Sequence, residues 1–291
     1  MIDLHALLVA PFADFAFMRR ALVACLALAL GSGPVGVLLV LRRMSLMGDA
    51  MAHSVLPGAA IGFLVAGLSL WAMSLGGLVA GLAVALLAGL VSRTTKLRED
   101  ASFAGFYLIS LSLGVLIVST RGSNVDLLHV LFGSILAVDD SSLMLVVGIA
   151  SISLAALAAI WRPLVLECVD PGFLRTVSRL GPVAHAVFLV LVVVNLVAGF
   201  QALGTLMSVG LMMLPAASVR FWARGLGAMM ALAVALAFAA GLVGLLLSYH
   251  LDLPSGPAIV LTAGCFYLFS IVFGRLGGVL GRFLPGRHLE A

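Results

Sequence analysis

Apolar residues occupy most of the chain in stretches of roughly 20 residues, the length that a helix needs to cross a lipid bilayer. Short segments rich in charge, glycine or proline separate these stretches. This pattern predicts transmembrane helices joined by brief loops. The clearest predicted spans are residues 21–41, 101–120, 143–160, 183–200, 226–247 and 258–273.

Two other regions carry the remaining predicted spans. Residues 50–91 contain no acid, lysine or arginine and are long enough for two helices, with a turn expected at Gly76 and Gly77. Residues 201–219 contain two glycines and Pro215, so they form either a broken helix or a re-entrant loop. A further apolar run, residues 125–138, is too short to cross and is expected to be a re-entrant or interfacial helix in an outer loop.

The distribution of basic residues predicts the orientation, because short cytoplasmic loops carry an excess of lysine and arginine. Nine spans with an outside amino terminus leave only Arg19, Arg20 and Arg121 on the outer side. Eight spans would move the basic carboxyl-terminal cluster outside. We therefore expect an all-α polytopic membrane bundle of about nine transmembrane helices, with eight as the alternative, in one domain over residues 1–291.

Composition agrees with this reading and narrows the function. Apolar residues make up 63% of the chain, charged residues only 10%, and the mean hydropathy is +1.26, which leaves no room for a soluble catalytic domain. The one lysine, Lys96, does not lie in a phosphate-binding loop, so the chain is not expected to hydrolyse ATP itself. Its net charge of +4 belongs to the predicted inner loops, so the expected partner is membrane lipid and not nucleic acid.

One stretch, RRMSLMGDAMAHSVLPG at residues 42–58, places ionisable side chains inside apolar sequence. Asp49 and His53 are four residues apart and would project from the same face of a helix. Ionisable residues at membrane depth are costly and typically mark a site or a transport path. A carboxylate oxygen and an imidazole nitrogen suit zinc, manganese or iron. We therefore predict that this pair binds a divalent metal ion in passage.

Two ligands do not complete a coordination sphere. A symmetric homodimer presenting the pair from both protomers would supply four. The neighbouring methionines, Met44, Met47 and Met51, are interpreted as packing residues, and His185 as an isolated loop or interfacial residue. His129 and His250 are predicted on the outer side, where they could lie near an entry mouth.

Residues 42–58 resemble the signature of permease subunits of bacterial ABC importers for zinc, manganese and iron. Three further stretches resemble that family in the same order along the chain: LFGSILAV, LPAA and LPSGP, at residues 131–138, 214–217 and 253–257. The family commonly has serine where this chain has Ala52, which points away from the face of the pair.

The resemblance implies a homodimeric permease in the bacterial inner membrane with no permanently bound cofactor. Its expected partners are a cytoplasmic ATP-binding subunit and a periplasmic or lipid-anchored metal-binding protein. The resemblance also implies that Asp49 and His53 lie in the metal path and that residues 161–182 dock the ATPase. The docking residues expected within that segment are Glu167, Asp170, Pro171 and Arg175.

Other functions remain open on the sequence. A proton-coupled secondary metal transporter would use Asp49 and His53 as a proton relay, and a permease for a metal chelate would need no direct ligands. An intramembrane enzyme is disfavoured, because the H-E-x-x-H and G-x-S-x-G motifs are absent. Among the metals, zinc is expected ahead of manganese and iron, because affinity rises in the order manganese, iron, zinc.

Overall fold

A computed structural model of the chain describes residues 9–67, 69–121, 135–169 and 180–280. All regular structure within these ranges is helical, with two short 3-10 turns at Ile135–Ala137 and Val219–Phe221. The helices are α1 (Ala10–Asp14), α2 (Ala16–Leu41), α3 (Ser45–Ala66), α4 (Leu70–Thr94), α5 (Glu99–Arg121), α6 (Asp140–Ala159), α7 (Trp161–Val169), α8 (Gly181–Leu203), α9 (Thr205–Ser218), α10 (Leu226–Leu251) and α11 (Ser255–Phe273).

Eight of the described helices are long and apolar enough to cross a membrane, namely α2 to α6, α8, α10 and α11. Helices suit this environment because they satisfy every backbone hydrogen bond internally. The predicted all-α polytopic bundle is therefore confirmed. Most of the predicted helix in residues 125–138 lies outside the described residues.

The ambiguous segment at residues 201–219 forms the shorter helix α9, which doubles back along α8. The chain reverses at Gly204, whose φ of +83° is readily adopted only by glycine. The Ser208 hydroxyl then donates a hydrogen bond to the Leu196 carbonyl at 3.3 Å. This contact between residues on either side of the turn makes the two helices an antiparallel pair.

Helix α9 also runs alongside α11 over almost its whole length. Near the first turn of both helices, a Cβ added at Gly256 would collide with the Met207 thioether. At the far end, the backbone amide of Leu276 donates to the carbonyl of Phe221 at 2.9 Å. The segment is thus a ninth, shorter helix that extends beside a full span, as expected for a broken helix and not for a re-entrant loop.

Helix α2 lies at the centre of the bundle, and 78% of the residues in its most apolar stretch are buried. Its glycines allow three neighbours to approach closely. A Cβ at Gly31 would collide with Asn195 of α8, one at Gly33 would press on Val234 of α10, and one at Gly36 would collide with the backbone of α9. Pro34 lies within the helix, which continues to Leu41.

The hairpin over residues 50–91 is present, but the turn predicted at Gly76 and Gly77 is wrong. The chain turns at Gly67, where φ is +66°, and Ser69 then caps the start of α4. Gly76 and Gly77 lie inside α4 and pack against α3, where a Cβ at Gly76 would collide with the Gly58 carbonyl. In a membrane helix, paired glycines serve close packing as readily as chain reversal.

Arg19 and Arg20, which the predicted orientation leaves on the outer side against the usual charge bias, have local partners. Arg20 forms an ion pair with Asp140 at the start of α6, with 3.1 Å between Nη1 and Oδ1. Arg19 donates to the Ala13 carbonyl at 2.7 Å, at the end of α1. These contacts join the first turns of α2 to α6 and α1.

Candidate functional site

The candidate metal site lies just beyond a tight turn between α2 and α3. Arg42 caps the end of α2, and Arg43 adopts a left-handed conformation with φ of 60°. The Met44 amide then donates to the Leu39 carbonyl at 3.0 Å, so α3 starts at Ser45 without an intervening loop. With a rise of about 1.5 Å per residue, His53 lies about 12 Å along α3, where its side chain is partly exposed.

Asp49 and His53 lie together on one face of α3, as predicted. The distance from the Nε2 atom of His53 to the Oδ1 atom of Asp49 is 3.6 Å, which is too long for a hydrogen bond. The Asp49 side chain is 66% exposed and the His53 side chain 33% exposed. A metal ion binds such donors at about 2.1 Å each, so it could bridge two atoms at this separation.

The three methionines near the pair do not share its face. Met44, Met47 and Met51 are all buried, with exposures of 6%, 2% and 0%. They pack in the same apolar cluster as Met212 of α9. This supports their interpretation as packing residues.

Helix α5 lines the side of the pair. The Tyr107 ring stacks on the His53 imidazole, with 6.2 Å between ring centroids and an angle of 30° between planes. One turn further on, the Ser110 hydroxyl donates to the Ser54 carbonyl at 3.4 Å. The sequence analysis missed Tyr107, although it is one of only three tyrosines in the chain and lies within a predicted span.

The described part of the chain contains no group of three or more histidine, cysteine, aspartate or glutamate side chains that could hold a metal ion. Within the described residues, Asp49 and His53 therefore stand as a pair without a third side chain of these types beside them. Weak coordination of this kind suits a transport path, because the ion must leave again.

The predicted ATPase-coupling segment is only partly described. Glu167 lies on α7 and forms an ion pair with Arg42, with 3.6 Å between Oε1 and Nη2. Asp170, Pro171 and Arg175 lie outside the described residues. The neighbouring Cys168 is partly buried, and this burial raises the pKa of its thiol, as expected for an unreactive packing residue.

The three other histidines considered in the sequence lie away from the Asp49–His53 pair or outside the described residues. His185 is buried and pairs with Glu99, with 3.0 Å between Nε2 and Oε1, so it is neither isolated nor in a loop. The His250 ring makes an edge contact with Tyr249, with 5.1 Å between centroids. His129 lies outside the described residues, and a role of His129 or His250 in metal entry stays a prediction.

Residues 14–274 match the ABC 3 transport family. The chain belongs to this family. The match covers the candidate metal pair, all eight long apolar helices among the described residues, and the described part of the predicted coupling segment. The ABC 3 transport family assignment agrees with the resemblance expected from residues 42–58, and it makes the chain a multi-pass bacterial membrane permease.

The names of similar proteins specify different metals. The manganese import system permease protein ScaB of Streptococcus parasanguinis is 33% identical over 257 residues, which are 88% of this chain and 90% of that protein. A probable iron transport system membrane protein of Haemophilus influenzae is 26% identical over 263 residues, 90% of this chain and 96% of that protein.

A solved structure also matches the fold. The structure of PsaBC from Streptococcus pneumoniae in complex with Fab has a TM-score of 0.82 and 29% sequence identity, covering 94% of this chain and 98% of that chain. The helical bundle described above is thus also found in this solved structure.

Proposed function

We propose that the chain forms the membrane path of an ATP-driven importer of a divalent transition metal ion, and that Asp49 and His53 bind the ion as it passes. The observation that carries the proposal is the pair itself. A carboxylate and an imidazole lie 3.6 Å apart on a helix that otherwise has an apolar, membrane-spanning sequence. Family membership supports transport as the function of this path.

The pair is proposed to act in a homodimer. One chain offers two donors, whereas a twofold assembly that brought both pairs to its axis would offer four. The 66% exposure of the Asp49 side chain supports this, because the carboxylate is open to a partner. Asp49 would then supply charge to hold the cation, and His53 a neutral nitrogen donor.

The cargo is proposed to be manganese or iron. Oxygen and imidazole donors without a thiolate suit these ions as well as zinc. The names of the relatives specify manganese or iron, which favours these two metals. The zinc expected from the sequence stays a prediction, and the experiment below decides among the three.

The partners follow from the transport class. The chain contains one lysine and no phosphate-binding loop, so ATP hydrolysis is assigned to a separate cytoplasmic subunit. A periplasmic or lipid-anchored metal-binding protein would deliver the ion from outside. Residues 1–291 are treated as a single permease domain.

The test is metal accumulation in a strain that lacks its own importers, expressing this chain with its ATPase subunit and binding protein. Manganese, iron and zinc are measured by mass spectrometry in cells carrying the wild type, Asp49→Asn or His53→Ala. Loss of either ligand should lower uptake of the cargo by about tenfold or more, since even outer partners of metal ligands contribute that much to affinity. Asp252→Asn is the matched control, an exposed acid at the outer end of α10.

The outcomes separate the competing functions. Uptake of one metal that requires the ATPase and fails in both ligand variants supports the proposal and identifies the cargo. Uptake without the ATPase and dependent on a proton gradient would establish the secondary transporter instead. Full uptake of a metal complex by the His53→Ala variant would establish a chelate permease.

A further inference from the structure

A buried ion pair connects α7 to the turn that precedes α3, the helix that carries Asp49 and His53. The Nη2 atom of Arg42 lies 3.6 Å from the Oε1 atom of Glu167, and the two side chains are only 8% and 5% exposed. Among the ion pairs between described residues, this is the one in which both side chains are less than one-tenth exposed.

A third residue fixes the geometry of the arginine. The Cζ atom of Arg42 lies 4.7 Å from the centre of the Phe188 ring on α8, so the guanidinium stacks on an aromatic face. A guanidinium does this in its planar form while pairing with a carboxylate, which a lysine ammonium cannot reproduce. Phe188 itself is fully buried, so it provides a firm support for the pair.

The position of the pair links movement of α7 to the start of α3. Helix α7 packs on the bundle through the fully buried Leu164, and Glu167 lies one turn further along α7. Arg42 lies at the turn between α2 and α3, seven residues before Asp49. A displacement of α7 would therefore pull on the start of the helix that carries the metal ligands.

The energetics oppose separation of the two charges. Removing one partner of a buried ion pair is strongly destabilising, because the other charge is left uncompensated in an apolar environment. The pair should therefore move as a unit. A bond between two exposed side chains would not couple two helices in this way, because water replaces it at little cost.

We propose that Arg42 and Glu167 are positioning residues that transmit movement of α7 to α3, and so couple ATP hydrolysis to release of the metal from Asp49 and His53. This inference rests on the proposed function, since it assumes that a cytoplasmic ATPase docks near α7. Neither residue binds the ion. Their role is to make α3 and α7 move together.

The test measures ATP hydrolysis and metal import together, in proteoliposomes that contain the complete complex with its ATPase and binding protein. The variants are Glu167→Gln and the double substitution Arg42→Met with Glu167→Leu. The double variant removes both charges, and such apolar replacements of buried ion pairs are often neutral or stabilising, so it keeps the experiment informative if Glu167→Gln fails to assemble. The matched control is Asp140→Asn, which breaks the exposed Arg20–Asp140 pair at the other end of α2.

The expected result is that the double variant assembles and hydrolyses ATP, but imports roughly 5- to 100-fold less metal per ATP, the usual range of coupling between sites. The control should retain the wild-type ratio. A wild-type ratio in the double variant would overturn the proposal. So would a parallel loss of hydrolysis, import and assembled complex in both variants, because that loss would indicate a structural role alone.

The same experiment distinguishes failure of the proposed function from failure of the proposed linkage between α7 and α3. If the wild-type complex imports no metal in response to ATP, the proposed function is wrong. If wild type and double variant import equally well, the proposed function stands and only the linkage is wrong.

Discussion

At the scale of single residues, His53 has a different neighbour on each side, and these neighbours set the surroundings of the candidate metal pair. Asp49 lies one helical turn below it on α3, and the ring of Tyr107 covers it from α5. The aspartate places a carboxylate oxygen beside the imidazole, whereas the tyrosine ring restricts the orientation of the imidazole. Restricting a ligand before the ion arrives lowers the entropy lost on binding.

We expect Tyr107→Ala to weaken metal import at low metal concentration by about two- to tenfold, the range given by an aromatic contact worth about 0.5–1.5 kcal/mol. Tyr107→Phe keeps the ring and should retain import. Initial uptake rates over a range of metal concentrations measure the effect. Tyr249→Ala removes the other tyrosine–histidine contact and is the control; an equal loss in this control would contradict a role specific to Tyr107.

Asp139 provides a prediction about pH. It caps α6 by accepting hydrogen bonds from the Ser141 hydroxyl and from the Ser142 amide, the latter at 2.9 Å. The hydrogen bond from Ser141, followed by those from Ser142, lowers the pKa of Asp139 from its usual 3.8 to about 2. The folded state therefore favours the charged form, so the stabilisation is present above pH 3.8 and is lost as the pH falls towards 2.

Asp139→Asn keeps a capping side chain but removes this charge. Its melting temperature in detergent should lie below that of the wild type at neutral pH, and the difference should shrink as the pH falls through the same window. Circular dichroism measures both. A difference that stays constant down to the lowest accessible pH would show that the charge of Asp139 does not contribute.

At the scale of elements, small residues determine how the helices pair. Helices α3 and α4 approach each other through glycines, with Gly58 and Gly62 on one side and Gly76 and Gly77 on the other. Lipid tails are as apolar as the side chains, so close backbone packing drives this association more than the hydrophobic effect. Gly76 and Gly77 were predicted as a turn because pattern alone does not distinguish a packing glycine from a turn glycine.

Gly76→Ala should force α3 and α4 apart, since its Cβ would collide with the Gly58 carbonyl. Overpacking of this kind costs about 1–3 kcal/mol, which should appear as a lower melting temperature of the purified protein. Gly105→Ala on α5 is the matched control, because a Cβ there meets no atom within 4 Å. A similar melting temperature in both variants would show that the helix pair adjusts freely.

At the scale of the whole molecule, the spans and the proximity of Asp49 to His53 could be predicted, but the contacts between distant residues could not. Hydropathy determines which segments lie in lipid, and a spacing of four residues brings Asp49 and His53 together wherever α3 packs. The pairs Arg42–Glu167 and Glu99–His185 join residues far apart in sequence. They depend on which helices are neighbours, and a single sequence does not specify this.

The proposed twofold assembly predicts the stoichiometry of the metal. If both copies of Asp49 and His53 share one ion, the purified complex should bind about one ion per two chains. Mass spectrometry of the metal after gel filtration, with the protein quantified by amino-acid analysis, measures this ratio. Asp49→Asn should abolish the bound metal, and a ratio of about one ion per chain would contradict a shared site.

The reversal at Gly204 determines how the two ends of the bundle can be reached in a cell. Because α9 extends beside α11, the described helices α2 to α6 and α8 to α11 pass along the bundle nine times, an odd number. The charge distribution predicts that the start of α2 lies at the outer surface. An epitope inserted before α2 should therefore be accessible to antibody on intact spheroplasts, whereas one inserted after α11 should be reached only after permeabilisation.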